Sequence, residues 1–305
     1  MTDQITVSYS ELDTYRQCPL KHMWAYKQRW KKPVESNSAL AKGSLWHLVL
    51  ERHYQVLAEH KRDDRSLDAE VLSEAYDAVY PLLYDERTGD QTEVQELVFW
   101  MYRGYVDQWG VDSDWEIIEV EGAFLLPLID PQGQESPYLI KGKLDLLVRD
   151  KQTGHLWVVD HKSGANLPSQ MDLEIDDQFG LYSWAMKQKG TPVLGAIHNA
   201  ARTTRNVADY PGYTGKSQPQ SLDQRHLRTY LNRTDTELES IALDAWAVAA
   251  NAYPQGDALP LYSAPDPRQC GWKCDYKEVH LLARKGRNPE QALTEMGFEQ
   301  DFTRH

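Results

Sequence analysis

The chain has 305 residues, 41% hydrophobic and 26% charged, the proportions of a soluble globular protein long enough to bury a core. Three cysteines are too few, and odd in number, for a secreted disulfide scaffold. The net charge of −13 argues against a protein that coats nucleic acid, but it is compatible with an acidic metal site beside a local basic track. No apolar run approaches the length of a membrane span, and residues 1–10 lack the basic stretch and apolar core of a signal peptide. The expectation is a cytoplasmic protein with no membrane partner.

A helix is expected to begin at Ser10, whose hydroxyl can cap free amides while Asp13 complements the helix dipole; Pro19 limits it. Between residues 16 and 32 six basic residues (Arg16, Lys21, Lys27, Arg29, Lys31, Lys32) occur without an acidic one. Tyr15, Trp24, Tyr26 and Trp30 interleave them, so this stretch is either a solvated face or a track for stacking on a single strand. The spacing of Leu40, Trp46, Leu50 and Leu57 predicts a second helix over 38–60. Further helices are expected at 66–84 and 91–109, with breaks around Pro81 and the 88–90 turn. Alternating, branched-rich segments then predict strands at 115–128, 138–149 and 155–161, joined by turns at 130–133 and 151–154 as an antiparallel meander. A helix at 173–189, a strand at 192–200, a polar loop at 202–220 and a long helix at 221–253 follow. The tail from 264 reads as irregular, and its 268–287 stretch is again basic. The sum is a single α/β domain over 1–305: a helical part at 1–110, a sheet core at 111–205 and a helical C-terminal part with a Cys/His tail at 206–305.

Asp160 and Lys162 are two apart on a predicted strand, so their side chains share a face, and Asp145 on the neighbouring strand can meet them. Two carboxylates at a strand end form a hard oxygen site suited to Mg²⁺ or Mn²⁺. A lysine beside them can hold or activate a water, or neutralise charge on a phosphate in transit. Alone, such an Asp-x-Lys triplet is more often two strand ends with a surface salt bridge. Gln178 and Tyr182, four apart on a predicted helix, face one way and either pack there or contact the site. Glu119 and Glu121 share a strand face and either support the carboxylates or are exposed, and His198, His226 and His305 have no evident partner.

The motifs fall in a telling order. Residues 9–19 (YSELDTYRQCP) are followed by Gly43-Ser-Leu-Trp-His47, Gly142-Lys-Leu-Asp145, Asp160-His-Lys162 and Gln178-Phe-Gly-Leu-Tyr182. In order and spacing the chain, from residue 8 to about 280, resembles the RecB-like branch of the PD-(D/E)XK nucleases, including the CRISPR-associated (Cas-four type) exonucleases. The resemblance implies a restriction-endonuclease-like core, a small mixed central sheet flanked by helices, with an N-terminal helical insertion. It implies Asp145, Asp160, Lys162, Gln178 and Tyr182 as catalytic residues. It also implies His47, Asp145 and Asp160 as ligands of Mg²⁺ or Mn²⁺, with the backbone carbonyl of His161 as a fourth. Read without the motif, His47 on a helix of mixed character is more often a structural histidine; among the ligands, its imidazole would favour Mn²⁺.

Cys270, Cys274 and His280 give a Cys-x3-Cys-x5-His pattern, and Cys18 adds a fourth soft or borderline ligand. The split set resembles the iron–sulfur variant of the family, with one early cysteine and three late ones, although His280 stands where the last cysteine would be. That likeness implies a [4Fe–4S] cluster stapling the N-terminal helix to the C-terminal tail; a zinc site is the alternative, and three unconnected thiols the plain reading. As a whole the resemblance implies a metal-dependent DNA exonuclease acting on single strands or ends, in recombination, repair or phage replication. A structure-specific endonuclease on the same centre and a non-catalytic DNA-binding subunit are the alternatives. The intact Asp145, Asp160 and Lys162 set speaks against the second. The chain has no Walker A pattern of its own.

Overall fold

The computed structural model describes residues 4–36, 38–62, 69–85, 89–208, 210, 215, 218–255 and 261–302. The chain folds as two units interleaved in sequence. The first comprises Met1–Val34, Leu125–Lys141 and Ala242–His305, the second Glu35–Phe124 and Gly142–Ile241.

The first unit opens on a strand that the sequence reading did not anticipate, β1 (Ile5–Ser8), paired in parallel with Tyr138–Lys141 in the register Ile5↔Tyr138 to Ser8↔Lys141. Helix α1 (Tyr9–Gln17) is capped by Ser8 rather than Ser10. Ser8 is still in the extended conformation of β1, and its Oγ accepts the Glu11 N–H at 3.3 Å. Helix α2 (Pro19–His22) starts directly on its proline. Cys18 sits between the two helices in extended conformation, as a residue before proline must. A π-helical turn, Met23–Lys27, leads to the short strand β2 (Trp30–Lys31).

In the second unit come α3 (Ala39–Arg62), α4 (Ala69–Leu83) and α5 (Glu93–Trp109). Pro81 does not break α4: it lies in the last turn, where little helix remains downstream to be disrupted. A reciprocal Thr92–Gln95 capping box starts α5. Strands β3 (Trp115–Ile129), β4 (Glu135–Asp150) and β5 (Leu156–Gly164) follow, then α6 (Gln170–Ile175), α7 (Asp177–Gln188) and β6 (Val193–Arg202). The expected meander holds, since β3 pairs with β4 and β4 runs antiparallel to β5. β6 joins β5 in parallel, and the α6–α7 crossover supplies the long connection that parallel pairing requires.

The expected helix over 221–253 is corrected. Only a short helix, α8 (Leu222–Arg225), precedes strand β7 (His226–Asn232), which pairs antiparallel with β6; helix α9 then covers Asp235–Ala252. The HLRTYLN segment extends rather than coils because it completes the sheet edge. A capping box resets the chain at Thr234, whose Oγ1 accepts the Glu237 N–H while the Glu237 carboxylate accepts the Thr234 N–H. Trp46, Leu50, Leu57, Val98, Tyr102, Val148 and Val159 belong to the core of this unit, helices against sheet.

Back in the first unit, the tail is also corrected: it forms α10 (Pro267–Lys273), α11 (Lys277–Arg284), α12 (Pro289–Glu295) and strand β8 (Glu299–Gln300), which pairs with β2. Asp266 caps α10 and Asn288 caps α12, each followed by proline at the first helical position. Trp24, Tyr276, Val279, Leu293 and Phe298 form the core here, with Trp30 packed against it. The aromatics of 15–30 therefore do not make a free stacking platform. Trp24 is interior, the Tyr15 hydroxyl donates to Asn251 O at 3.1 Å, and Tyr26 stacks on His22. Lys27 is exposed but anchored, its Nζ donating at 2.6 Å to Ala252 O at the end of α9. Among the described residues no helix is long and apolar enough to cross a membrane.

Candidate active site

Asp145 and Asp160 are the next residues on from the Leu146↔Val159 pair of the β4–β5 ladder, so the two carboxylates arise on adjacent strands of the second unit. The glycine of Gly142-Lys-Leu-Asp145 has a steric reason. A Cβ there would lie 2.2 Å from the Phe124 ring, and that ring packs edge-on against Tyr182 at 5.5 Å. Gly142→Ala is therefore expected to push Phe124 into Tyr182 and to cost about 1–3 kcal/mol, with partial recovery when Phe124 is shortened to leucine. Denaturant unfolding that is unchanged in Gly142→Ala would show the contact to be slack. Gly43, in the His47 segment of α3, faces Ser163 of β5, with its projected Cβ 3.9 Å from the serine oxygen.

The structure brings seven of the expected residues into direct contacts, His47 and His161 on Asp145, and Lys162, Gln178 and Tyr182 around Asp160. His47 Nδ1 lies 3.2 Å from Asp145 Oδ1, and the backbone N–H of His161 donates to Asp145 Oδ2. Lys162 Nζ lies 2.7 Å from Asp160 Oδ2. That approach is an ion contact without hydrogen-bond alignment, so this buried oxygen retains an unused acceptor direction. Gln178 Nε2 donates to the Tyr182 hydroxyl at 3.2 Å and approaches Asp160 Oδ1 at 3.4 Å, which brings Gln178, and through it Tyr182, against Asp160.

The environment splits the two carboxylates. Burial pushes Asp160 upward, and Asp145's charge adds to this, while Lys162 opposes it; the result lies above the ordinary value. Burial also pushes Asp145 up, but the hydrogen bonds from His47 and from the His161 amide, with the charge of His47, outweigh it and hold it below. Lys162 loses by burial and gains more from Asp160 and Asp145, so it stays a firm ammonium. The His161 ring, on the opposite sheet face, is pushed down to about 3 by burial and stays neutral.

Oxygen donors with one imidazole suit a hard divalent cation, and the unsatisfied Asp160 oxygen fits such an ion. Among the described residues, however, no group of three or more His, Cys, Asp or Glu side chains is preformed to hold a metal. At the carboxylates, His47 and the His161 amide take up the Asp145 oxygens and Lys162 lies against Asp160; Cys18, Cys270, Cys274 and His280 likewise do not form a preformed metal-holding group.

Two carboxylates join the surroundings: Glu121, for which the sequence left support and exposure both open, and Glu51, which it did not single out. Glu121 sits at φ +59° with its carboxylate against Lys143 Nζ, and its proton affinity is raised by burial and by the charges of Asp145 and Glu51. Glu51 is one helical turn after His47, a spacing legible in the sequence. His198 is the register partner of Asp160, lowered to about 4 by burial and Lys162, and meets Phe179 edge-on. His226 is buried with neither ring nitrogen partnered, and His305 lies outside the described residues.

In the first unit, Cys18, Cys270, Cys274 and His280 all line one cavity of about 310 Å³, shared with Trp24, Lys21 and Tyr276. The thiols are free. Cys274 is raised by burial and feels Lys21, Cys270 and Cys18 as neighbours. The proline break after α1 and the turn between α10 and α11 thus bring together residues separated by most of the chain.

A family model described as the PD-(D/E)XK nuclease superfamily matches residues 6–279. No curated protein matches the chain. Among 21 matching chains of solved structures, one described as the crystal structure of SSO0001 aligns with 91% of this chain and 89% of its own at 13% identity and a TM-score of 0.36, a likeness too slight to carry an argument.

Proposed function

The chain belongs to the PD-(D/E)XK nuclease superfamily, and from that premise we propose that it is a metal-dependent DNA exonuclease acting on single strands or ends. The observation that carries the reading is the meeting of Asp145, Asp160 and Lys162 at adjacent positions of β4 and β5, with Gln178 held against Asp160. The exonuclease assignment rests on the ordered RecB-like motifs, and recombination, repair or phage replication is the matching context. Asp145, Asp160, His47 and the His161 carbonyl would hold Mg²⁺ or Mn²⁺. Such an ion, when bound, supplies Lewis acidity toward the phosphate and a more acidic water. Lys162, kept protonated, neutralises charge building on the phosphate instead of abstracting a proton. Gln178 orients Asp160, and Tyr182 keeps its phenolic proton because burial raises it. End-labelled single- and double-stranded DNA, incubated with Mg²⁺, Mn²⁺ or EDTA, tests the proposal: metal-dependent release of mononucleotides or short products from ends supports it, and internal nicking alone overturns the exonuclease reading.

His47 makes a pH-dependent prediction. Burial pulls its imidazole down, but the Asp145 hydrogen bond and the charges of Asp145 and Asp160 leave it above the ordinary histidine value. A ligand imidazole must be neutral. Mn²⁺ affinity should therefore rise as the pH climbs toward that raised value, by about tenfold per unit while one proton is displaced, and level off above it. The slope should vanish in His47→Ala, whose lost activity extra Mn²⁺ partly restores. A flat profile in the unaltered protein removes His47 from the ligand set.

For the first unit, the proposal is that Cys18, Cys270, Cys274 and His280 hold a [4Fe–4S] cluster, with zinc the competing occupant; support comes from four soft or borderline donors on one cavity. Its free energy would be folding free energy. Anaerobically purified protein should carry iron and absorb in the visible, and Cys18→Ser should lose both and melt earlier. Protein containing zinc and no iron reassigns the site, and protein with neither leaves three thiols.

A further inference from the structure

Behind the carboxylates, on the other face of the sheet, three residues form a row across three strands. His161 of β5 is the register partner of Asn199 of β6, and Asn199 is the partner of Arg228 of β7. All three are buried: His161 is 2% exposed and Asn199 1%. The row can be read as a chain of forced hydrogen-bond roles, beginning at the arginine, which has donors only. Arg228 is immobilised by a two-point contact with Asp112 and lies between the rings of Trp109 and Trp115, at 3.9 and 3.8 Å from their centroids. Its Nε donates to Asn199 Oδ1 at 3.4 Å. That contact settles which way the amide faces, so Asn199 Nδ2 must point the other way. There it has two hydrogens and two acceptors, the Tyr105 hydroxyl at 2.7 Å and His161 Nδ1 at 2.8 Å. Since an amide nitrogen cannot accept, His161 Nδ1 must, and the ring carries its proton on Nε2, which is buried and has no hydrogen-bond partner of its own. The Tyr54 ring, stacked on the imidazole at 5.5 Å and 13°, holds the ring plane. The same residue aims its backbone N–H at Asp145 Oδ2, leaving Oδ1 for His47.

We propose that Asn199, set by Arg228, is a positioning residue for the metal-binding carboxylate: by fixing the His161 ring it fixes the peptide that holds Asp145. The inference rests on the reading of Asp145 as a metal ligand. Ordinary core packing would explain the burial of these side chains, but not why Asn199, its oxygen taken by a fixed cation, turns one amide hydrogen on Tyr105 and the other on the ring whose own peptide holds Asp145. Groups that orient a ligand typically alter metal affinity on the order of 10–100-fold when removed.

The test is Mn²⁺ binding without nucleic acid, followed by electron paramagnetic resonance of the free ion, in the full-length protein. Asn199→Leu removes the donor at similar size, and Asn199→Asp keeps the shape with acceptors only. Both are expected to bind Mn²⁺ at least tenfold more weakly while remaining folded. Ile197→Val, a buried change on the same strand with a comparable effect on melting, should bind as the unaltered protein does. Nitrogen NMR of the histidine rings in the unaltered protein supplies a second arm, with His161 expected to be protonated at Nε2. Undiminished Mn²⁺ affinity in folded Asn199→Leu, or a His161 proton on Nδ1, overturns the proposal. Asp145→Asn serves as the control for the site itself. If it binds Mn²⁺ as well as the unaltered protein does, the metal-ligand reading has failed, and the ring-nitrogen result still decides the hydrogen-bond chain on its own.

Discussion

Asp160→Asn is expected to abolish phosphodiester cleavage and, in metal-free protein at neutral pH, to melt no earlier than the unaltered chain. The two outcomes have one cause. Asp160 is buried and its folded proton affinity is raised, so the unfolded chain gives up this proton more readily than the folded one. For such a group the cost to folding is absent below the ordinary aspartate value and full above the raised one, and it disappears when the carboxylate becomes an amide. A buried carboxylate kept at a cost to folding is what the proposed metal-binding role of Asp160 requires. Lys162→Ala should differ in a readable way. Cleavage should fall by roughly 10²–10³-fold, the typical effect of removing a preorganised charge from a developing anion. Stability should fall too, because Asp160 then loses the ammonium 2.7 Å away. Added Mn²⁺ should raise the melting temperature of the unaltered protein and not of Asp160→Asn. Cleavage assays on labelled DNA, with melting followed in EDTA and in Mn²⁺, check both variants; unchanged cleavage in either folded variant removes that residue from the centre.

The strands beneath the candidate site are legible in the sequence because β4 alternates over its first half, β5 is a short run rich in branched residues, and the turn between them is short. Asp160 and Lys162 could be placed on one face from period two alone, and Gln178 with Tyr182 from one helical turn. β7 was not legible. HLRTYLN has no turn signal before it and a long apolar-periodic helix after it, and it becomes a strand by pairing with β6 rather than by local preference. Missing β7 meant missing Arg228, and with it the row through Asn199 to His161. Two of the three tail helices carry visible start signals, Asp266-Pro267 and Asn288-Pro289, whereas α11 starts without a side-chain cap. The aromatics among the basic residues of 15–30 could not be sorted from sequence, since only tertiary packing shows Trp24 against Tyr276 instead of facing solvent.

The largest loss of stability is expected from Asp112→Ala. Asp112 and Arg228 are both buried, 116 residues apart, in a two-point ion pair walled by Trp109 and Trp115. Taking away the carboxylate leaves a guanidinium with no counter-charge inside the protein, which costs about 3–5 kcal/mol, a drop in melting temperature on the order of 10 °C. Part of the cost has a separate origin, because Asp112 sits at φ +51°, where aspartate and asparagine are tolerated far better than alanine. Asp112→Asn keeps that tolerance, the shape and one acceptor oxygen while removing the charge, so the difference between the two variants sets an upper bound on the backbone contribution. Arg228→Met combined with Asp112→Asn should recover much of the loss, since replacing a buried pair costs far less than breaking it. The double variant also separates stability from site geometry. It restores the fold without the donor that orients Asn199, so it should melt well above Asp112→Ala and still bind Mn²⁺ weakly. Thermal melts and Mn²⁺ titrations on the same four proteins decide the matter, and a double variant that recovers both properties together would mean that Arg228 serves the fold alone.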